Sequence, residues 1–207
     1  LGYYPEEETW VAEKHIEWAF RYGIQFFAYD WYWDGKQSPA EHALKAHLNS
    51  TNRDKLKFCL LWANHSEVPR NITEFDAMVD YWILNHFNQK IYYLIEGKPA
   101  VFIYSPTQLD QNAQKLGQSG QSLLARANSK VKEKGFQGIY FVAVTNETPS
   151  DAVETKYLRQ GYSAYTGWNY VTALGNYPIK DYDHMVDTYI HIYNAASKTS
   201  GQLPYLI

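Results

Sequence analysis

Apolar positions follow two different periods along this 207-residue chain. In several segments they recur every three or four residues, which predicts amphipathic helices. The predicted helices are Glu6–Tyr22, Ser38–Leu48, Thr73–Phe87, Ser119–Lys134, Ser150–Gln160 and Asp181–Ala196. Between them lie short, nearly continuous apolar runs, which predict strands that are buried on both faces. The predicted strands are Ile24–Trp33, Leu56–Asn64, Lys98–Pro106, Gly138–Asn146 and Tyr162–Asn169, and Leu203–Ile207 begins a sixth.

Strands that alternate with helices are typical of βαβ units and a parallel sheet. No GxGxxG or GxxxxGK[ST] turn follows any strand, which speaks against a nucleotide site. We therefore predict an α/β protein with the TIM (β/α)8 barrel, forming a single catalytic domain over residues 1–207. Eight units usually need about 250 residues. With six strands counted and Leu1 in place of an initiator methionine, we expect the first and last units to be missing and the chain to be a fragment.

The unusual compositional feature is an aromatic content of 17%, with 19 Tyr, 9 Phe and 7 Trp. Tyr and Trp offer a flat apolar face with a polar tip, which suits the C–H faces and hydroxyls of sugar rings. A large aromatic core is the alternative. The net charge of −3 and the absence of Lys/Arg runs argue against nucleic acid. No segment approaches the ~20 apolar residues of a membrane span.

Polar and aromatic residues gather where the predicted strands end, and barrel enzymes build their active sites at those ends. We expect these residues to form a carbohydrate-binding wall: Asp30, Trp31, Trp33, Trp62, Asn64, His65, Glu67, Tyr104, Asn146, Glu147, Trp168 and Asn169. In this interpretation Asp30 binds a sugar hydroxyl and the tryptophans stack on sugar faces. The alternatives are that Asp30 accepts backbone N–H groups, that the tryptophans are core, and that the asparagines form turns.

The chemistry of glycoside hydrolysis needs two carboxyl groups beside the scissile bond. Asp30, Glu67 and Glu147 are candidates, but sequence spacing does not pair them, so the catalytic residues stay unknown. The seven histidines form no HxH or HExxH pattern, and no GxSxG elbow occurs. Cys59 lies in mid-strand, which predicts a buried, inert thiol. We expect neither a metal nor a cofactor.

Several segments resemble the WbsX-like proteins, which are related to glycoside hydrolase family 99. The resemblance rests on "YGIQFFAYDWYWDGK", "LKFCLLWANHSE", "EGKPAVFIYSP", "GIYFVAVTN" and "GYSAYTGWN", and it covers essentially the whole chain. It implies a (β/α)8 barrel that acts on polysaccharide, as an endo-acting hydrolase of α-mannosidic bonds. A periplasmic, cell-surface or secreted bacterial protein is the corresponding expectation.

The chain departs from the family pattern in two places. After "WAN", many relatives have an acid and a tryptophan, whereas His65 and Ser66 follow here. The family's catalytic carboxylates lie in a Trp-Asn-Glu-Trp type motif at the eighth strand, but here Trp168 and Asn169 precede Tyr170. No catalytic residue is carried over. Two alternatives therefore stay open: a non-catalytic carbohydrate-binding protein, and a glycosyltransferase-like protein, for whose sugar-nucleotide donor we find no phosphate motif.

Overall fold

A computed structural model describes residues 3–66, 68–168 and 182–206. Two of the predicted site residues, Glu67 and Asn169, lie outside the described residues. So do Asp181, the predicted start of the last helix, and Ile207, the end of the last predicted strand.

The described residues form seven α-helices and six short strands. The helices are α1 (Thr9–Arg21), α2 (His42–Asn49), α3 (Ile72–Trp82), α4 (Pro106–Lys115), α5 (Gly120–Glu133), α6 (Asp151–Arg159) and α7 (Tyr182–Ala196). The strands are β1 (Phe26–Trp31), β2 (Lys57–Trp62), β3 (Leu94–Ile95), β4 (Lys98–Ile103), β5 (Tyr140–Thr145) and β6 (Ala164–Gly167). A 3₁₀ turn covers Arg53–Lys55, and a π-helical turn, Ile83–Phe87, extends α3.

Five strands form one parallel sheet in the order β1-β2-β4-β5-β6, and β3 pairs with β4 as an antiparallel hairpin. A further parallel segment begins beside β6. The Tyr165 N–H donates to the Pro204 carbonyl (3.0 Å), and the Leu206 N–H donates to the Tyr165 carbonyl (2.9 Å). The start of a sixth parallel strand predicted at Leu203 is therefore confirmed.

The strand order follows the chain without reversal, which places the connecting helices on one face of the sheet because parallel crossovers are right-handed. We call this side the helix face and the other the open face. Helices on one face of a sequentially ordered parallel sheet are the arrangement of the (β/α)8 barrel, so the predicted fold class is confirmed.

The main core lies between the sheet and the helices, and every residue of β5 is buried. The exception among the long strands is β1, where Ala28 and Asp30 are exposed although the strand is almost wholly apolar. Within the described residues, β1 pairs only with β2. Its second edge has no strand partner among the described residues, and we call it the free edge.

Local signals at helix starts required two corrections. The cap of α3 is Asn71, whose side chain accepts from the Glu74 N–H (2.9 Å). The predicted capping box at Thr73 and Asp76 is therefore wrong, since the capping side chain must precede the first helical residue.

Helix α4 is absent from our sequence prediction, which treated Ser105 and Pro106 as the end of a strand. Ser105 instead caps the helix by accepting from the Gln108 N–H (3.2 Å), and Pro106 occupies the first helical turn. Proline suits that position because its missing N–H needs no partner there.

Candidate functional site

The two-residue period of β1 sends neighbouring side chains to opposite faces of the sheet. Asp30 is exposed on the open face, whereas Trp31 is only 1% exposed and packs edge-on against Trp82 of α3. The indole N–H of Trp31 donates to the buried Glu41 carboxylate (2.8 Å). Tyr32, two positions beyond Asp30, returns to the open face, and the two residues line one cleft there.

Three predicted sugar-stacking tryptophans lie on the helix face. Trp33 is buried and stacks on Trp31 with ring centroids 5.7 Å apart, while Trp62 is buried edge-on against Trp82 at 5.7 Å. Their rings fill the layer between sheet and helices. The expectation that Trp31, Trp33 and Trp62 stack on sugars is therefore corrected, because none of these rings reaches the open face.

The predicted hydroxyl ligand Asn64 also has a structural position. Its side-chain N–H donates to the Ser105 carbonyl, and its side-chain oxygen accepts from the Ser105 N–H, both at 2.8 Å. The residue is 1% exposed. Asn64 thus joins the end of β2 to the start of α4 and has no hydrogen-bonding atom left at the surface.

Four rings form a continuous series along the carboxyl ends of the strands, which we call the aromatic arc: Tyr32, His65, Tyr104 and Trp168. His65 lies edge-on to both Tyr32 and Tyr104, with centroids 5.8 Å apart in each case. Tyr104 lies edge-on to Trp168 at 5.2 Å. Trp168 is 43% exposed. The arc therefore brings together residues that follow β1, β2, β4 and β6.

A cleft of about 590 Å³ opens beside one end of the arc and continues along the free edge of β1. Asp30, Tyr32 and Trp168 line it on the sheet side. Glu6 and His42 also line it, and the Glu6 carboxylate lies 3.4 Å from the His42 imidazole. The cleft therefore combines several aromatic rings with the two exposed carboxylates of Glu6 and Asp30.

A second cavity of about 400 Å³ lies at the other end of the arc. Its lining includes Tyr104, Asn146, Glu147 and Trp168. Trp168 also lines the first cleft, so this residue contributes to both cavities. An extended ligand could contact both cavities across this ring.

Glu147 is already bound by its neighbours. Its carboxylate accepts from the Tyr157 hydroxyl (2.8 Å) and lies 2.7 Å from the Lys156 ammonium. Partial burial acts to raise the pKa of Glu147, but the hydrogen bonds from Lys156 and Tyr157 outweigh it and hold that pKa below its ordinary value. Glu147 is therefore ionised at neutral pH, which does not suit a general acid.

The described residues contain no group of three or more His, Cys, Asp or Glu side chains arranged to hold a metal ion. In the same ranges, no helix has the length and apolarity to cross a bilayer. Cys59 is buried, and burial raises the pKa of its thiol far above the ordinary value. An inert thiol was the sequence-based prediction.

Sequence reasoning missed Tyr32, Glu6 and Glu41. Tyr32 could have been found from the strand period, because residues two apart share a face and Asp30 was already selected. Glu6 and Glu41 carried no local signal. Each precedes a helix in a stretch that reads as an ordinary polar segment, and its neighbours come from distant parts of the chain.

Comparisons with known proteins agree with the fold. A solved structure described as a glycoside hydrolase-like protein aligns with a TM-score of 0.65 at 17% identity, covering 99% of this chain and 64% of that one. The GH99 endo-alpha-mannosidase from Bacteroides thetaiotaomicron aligns with a TM-score of 0.54 at 15% identity, covering 80% and 45%. This chain thus spans less than two thirds of either structure. No curated protein matches the sequence.

A family model described as glycosyltransferase WbsX matches residues 1–177. That match includes α1 through β6 and every residue of the aromatic arc. Since it extends over most of the sequence, the chain belongs to the WbsX family.

Proposed function

We propose that this chain forms the glycan-binding face of a carbohydrate-active enzyme, and that the enzyme is a glycoside hydrolase acting on a polysaccharide. The observation that carries the proposal is the aromatic arc with Asp30 beside it, at the carboxyl ends of parallel strands. This is the position at which barrel enzymes bind their substrates.

The chemistry of the arc suits sugar rings. Tyr and Trp rings supply flat apolar surfaces for C–H faces, with polar tips at their rims. Asp30 supplies an exposed carboxylate in the same cleft, and a carboxylate accepts a stronger hydrogen bond from a hydroxyl than a neutral group does.

Endo action is a finer part of the proposal. Two cavities share Trp168, so a ligand that fills both must extend past this indole on both sides. A chain of sugars meets that requirement and a single ring does not. We further propose α-mannosidic bonds as the substrate linkage, because one structural neighbour is an endo-alpha-mannosidase.

We assign no catalytic carboxylate. Asp30 and Glu6 line the same cleft and are the two exposed carboxylates that face it, whereas Glu147 is bound to Lys156 and Tyr157. Hydrolysis requires an acid together with a base or nucleophile at a defined separation.

The family description favours a second candidate, a glycosyltransferase, which would build glycan from an activated donor. A protein that binds glycan without reaction is the third. Both would use the same aromatic arc.

Product analysis distinguishes the three candidates. The protein isolated from its source is incubated with a panel of polysaccharides that includes α-mannan, with and without sugar nucleotides, and products are sized by mass spectrometry. We expect shortened oligosaccharides of mixed lengths without any donor. Donor-dependent lengthening would establish the transferase instead, and binding with unchanged lengths would establish the non-catalytic role.

A further inference from the structure

One hydrogen bond closes the base of the loop that follows β1. The indole N–H of Trp31, the last residue of β1, donates to Glu41, the residue before α2, at 2.8 Å. The two residues are ten positions apart, and the segment 32–40 lies between them. Tyr32, the first member of the aromatic arc, is therefore also the first residue of a loop whose two ends are tied together.

Glu41 is a buried carboxylate with several partners. It is 5% exposed, and it accepts from the Tyr81 hydroxyl at 3.0 Å in addition to Trp31. The His86 imidazole Nε2 lies 3.0 Å from the same Glu41 oxygen that Trp31 contacts. Burying a carboxylate is costly unless it is hydrogen-bonded, so these three partners explain how Glu41 is tolerated in the core. Lys45, 3.7 Å away, adds a cation at the surface side.

The same partners enclose Trp33. Its ring stacks on Trp31 at 5.7 Å and lies edge-on to Tyr81 at 5.5 Å. The polar groups of both enclosing rings donate to Glu41. Glu41 thus fixes the two walls between which Trp33 is buried, on the helix face of the sheet.

His86 reaches Glu41 from an unusual turn. It belongs to the π-helical segment Ile83–Phe87, and it is 3% exposed. Single π-helical turns are uncommon and often occur near functional sites, where they redirect a side chain. Here the turn adds a fourth helix-face ring next to Trp31, with centroids 6.4 Å apart.

We infer that Glu41 is a positioning residue: by holding Trp31 and Tyr81 around Trp33, it fixes the start of the 32–40 loop and directs Tyr32 and Asp30 into the open cleft. In an extended segment, neighbouring side chains point to opposite faces of the sheet. Holding Trp31 and Trp33 on the helix face therefore places Asp30 and Tyr32 on the open face. The effect on ligand rests on the proposed function. The anchoring of the loop does not.

Amide hydrogen exchange of segment 32–40, read by mass spectrometry, tests the anchoring directly. In Glu41→Ala we expect exchange in this segment to accelerate roughly tenfold, and oligosaccharide affinity to fall roughly tenfold, because the lost hydrogen bonds are worth about 1.4 kcal/mol or more. Glu41→Gln keeps an oxygen acceptor for Trp31, so both properties should return most of the way to the wild type.

Glu154→Ala is the matched control. Glu154 of α6 is also a buried carboxylate, 1% exposed, and it accepts from the Ser200 hydroxyl and the Gln202 N–H near β6, at the opposite end of the strand order from β1. Its removal should leave exchange in segment 32–40 unchanged. Equal acceleration in both variants would mean that any buried carboxylate matters equally, and it would overturn the inference.

Trp31→Phe provides a second route if Glu41→Ala does not fold. This variant removes the indole N–H and keeps an aromatic ring, and exchange in segment 32–40 should again accelerate. Unchanged exchange in a folded Glu41→Ala, or in Trp31→Phe where only that variant folds, would refute the positioning role. If the wild-type protein binds none of the glycans, the proposed function is wrong. Accelerated exchange of segment 32–40 in Glu41→Ala would still support the positioning role of Glu41 in that case.

Discussion

Asp30 and Trp31 are neighbours in the chain but meet opposite environments. The carboxylate of Asp30 faces solvent in the cleft, and the indole of Trp31 lies in the core with its N–H bound by Glu41. An exposed carboxylate pays no burial cost, so no fixed partner is needed to stabilise it. At the scale of single residues, this makes Asp30 available for a ligand without a penalty to folding.

Asp30→Asn should weaken oligosaccharide binding about tenfold or more, because a charge-assisted hydrogen bond contributes about 1.5–3 kcal/mol and a neutral amide accepts more weakly. Titration calorimetry with the best polysaccharide fragment measures the change. The thermal unfolding midpoint should stay the same, since the side chain is exposed. Unaltered affinity would exclude Asp30 from the binding site.

Trp168→Ala should also reduce oligosaccharide affinity, by up to about tenfold, because one stacking ring contributes about 0.5–1.5 kcal/mol and this indole lines both cavities. Trp10→Ala is the control, since Trp10 is an exposed indole on α1 that lines neither cavity. Affinity gels with immobilised glycan compare the two. Similar losses in both variants would argue against a specific role of the arc.

The residue types in the run from Phe26 to Trp33 could not reveal which side chains face the cleft. Both faces of this strand carry aromatic rings, so hydrophobicity does not mark the inside. The partner that buries the indole N–H of Trp31 is Glu41, ten positions along the chain, and its role depends on tertiary contacts. Position at the strand end was predictable, whereas the face was decided by packing.

At the scale of elements, a polar contact joins the end of β2 to the start of α4. The Asn64 side chain accepts from the Ser105 N–H, and it donates to the Ser105 carbonyl, which also accepts from the Leu109 N–H. Tyr104 directly precedes Ser105, so this contact also holds the middle of the aromatic arc in place.

Asn64→Ala should lower the free energy of unfolding by about 1–3 kcal/mol, because it leaves the part-buried Ser105 N–H without its partner, while the Ser105 carbonyl keeps the Leu109 N–H. Urea denaturation measures this change. Gln111, an exposed amide side chain of α4, is the control, and Gln111→Ala should alter stability by no more than about 0.5 kcal/mol. Equal effects would mean that the two hydrogen bonds contribute nothing.

Most elements were predictable because each keeps a single period over its length. The buried face of α3 and the π-helical turn, with Phe75, Met78, Val79, Trp82, Ile83 and Phe87, matches the helical spacing of the sequence. Helix α4 was missed since its mean composition is polar and its cap, Ser105, follows a strand directly. The π-helical turn has no sequence signature separate from α3.

At the scale of the whole molecule, buried ionisable groups link stability to pH. His47 is 0% exposed, its Nδ1 lies 3.0 Å from the Tyr29 hydroxyl, and its Nε2 has no hydrogen-bond partner among the described residues. Burial lowers the pKa of His47 below its ordinary value of 6.5. The folded protein therefore disfavours the protonated imidazole.

The sign of the pH dependence follows from this shift. Above pH 6.5 both states keep His47 neutral, and below it the unfolded state binds the proton first, so stability should fall as pH decreases by up to about 1.4 kcal/mol per pH unit. His47→Gln should flatten this slope between pH 6.5 and 5, measured by urea denaturation at several pH values. Parallel slopes for both proteins would contradict the prediction.

At this scale, the parallel sheet and its helix face were predictable. Strand–helix alternation is visible in the sequence, and right-handed crossovers then place the helices on one face. The placement of the cleft did not follow. It depends on the edge strand β1 and on Glu6, a residue that precedes α1 and lines the same cleft as Asp30. Such contacts between distant segments have no local pattern.

A buried thiol next to the edge strand β1 offers a chemical probe of local opening in the sheet. Cys59, the single cysteine of the sequence, lies opposite Ala28 in the β1–β2 register and is fully buried. A thiol reagent can reach it only after the structure around it opens or the domain unfolds. Labelling rates should therefore measure how often this part of the sheet opens, and a ligand that stabilises the folded protein should slow them.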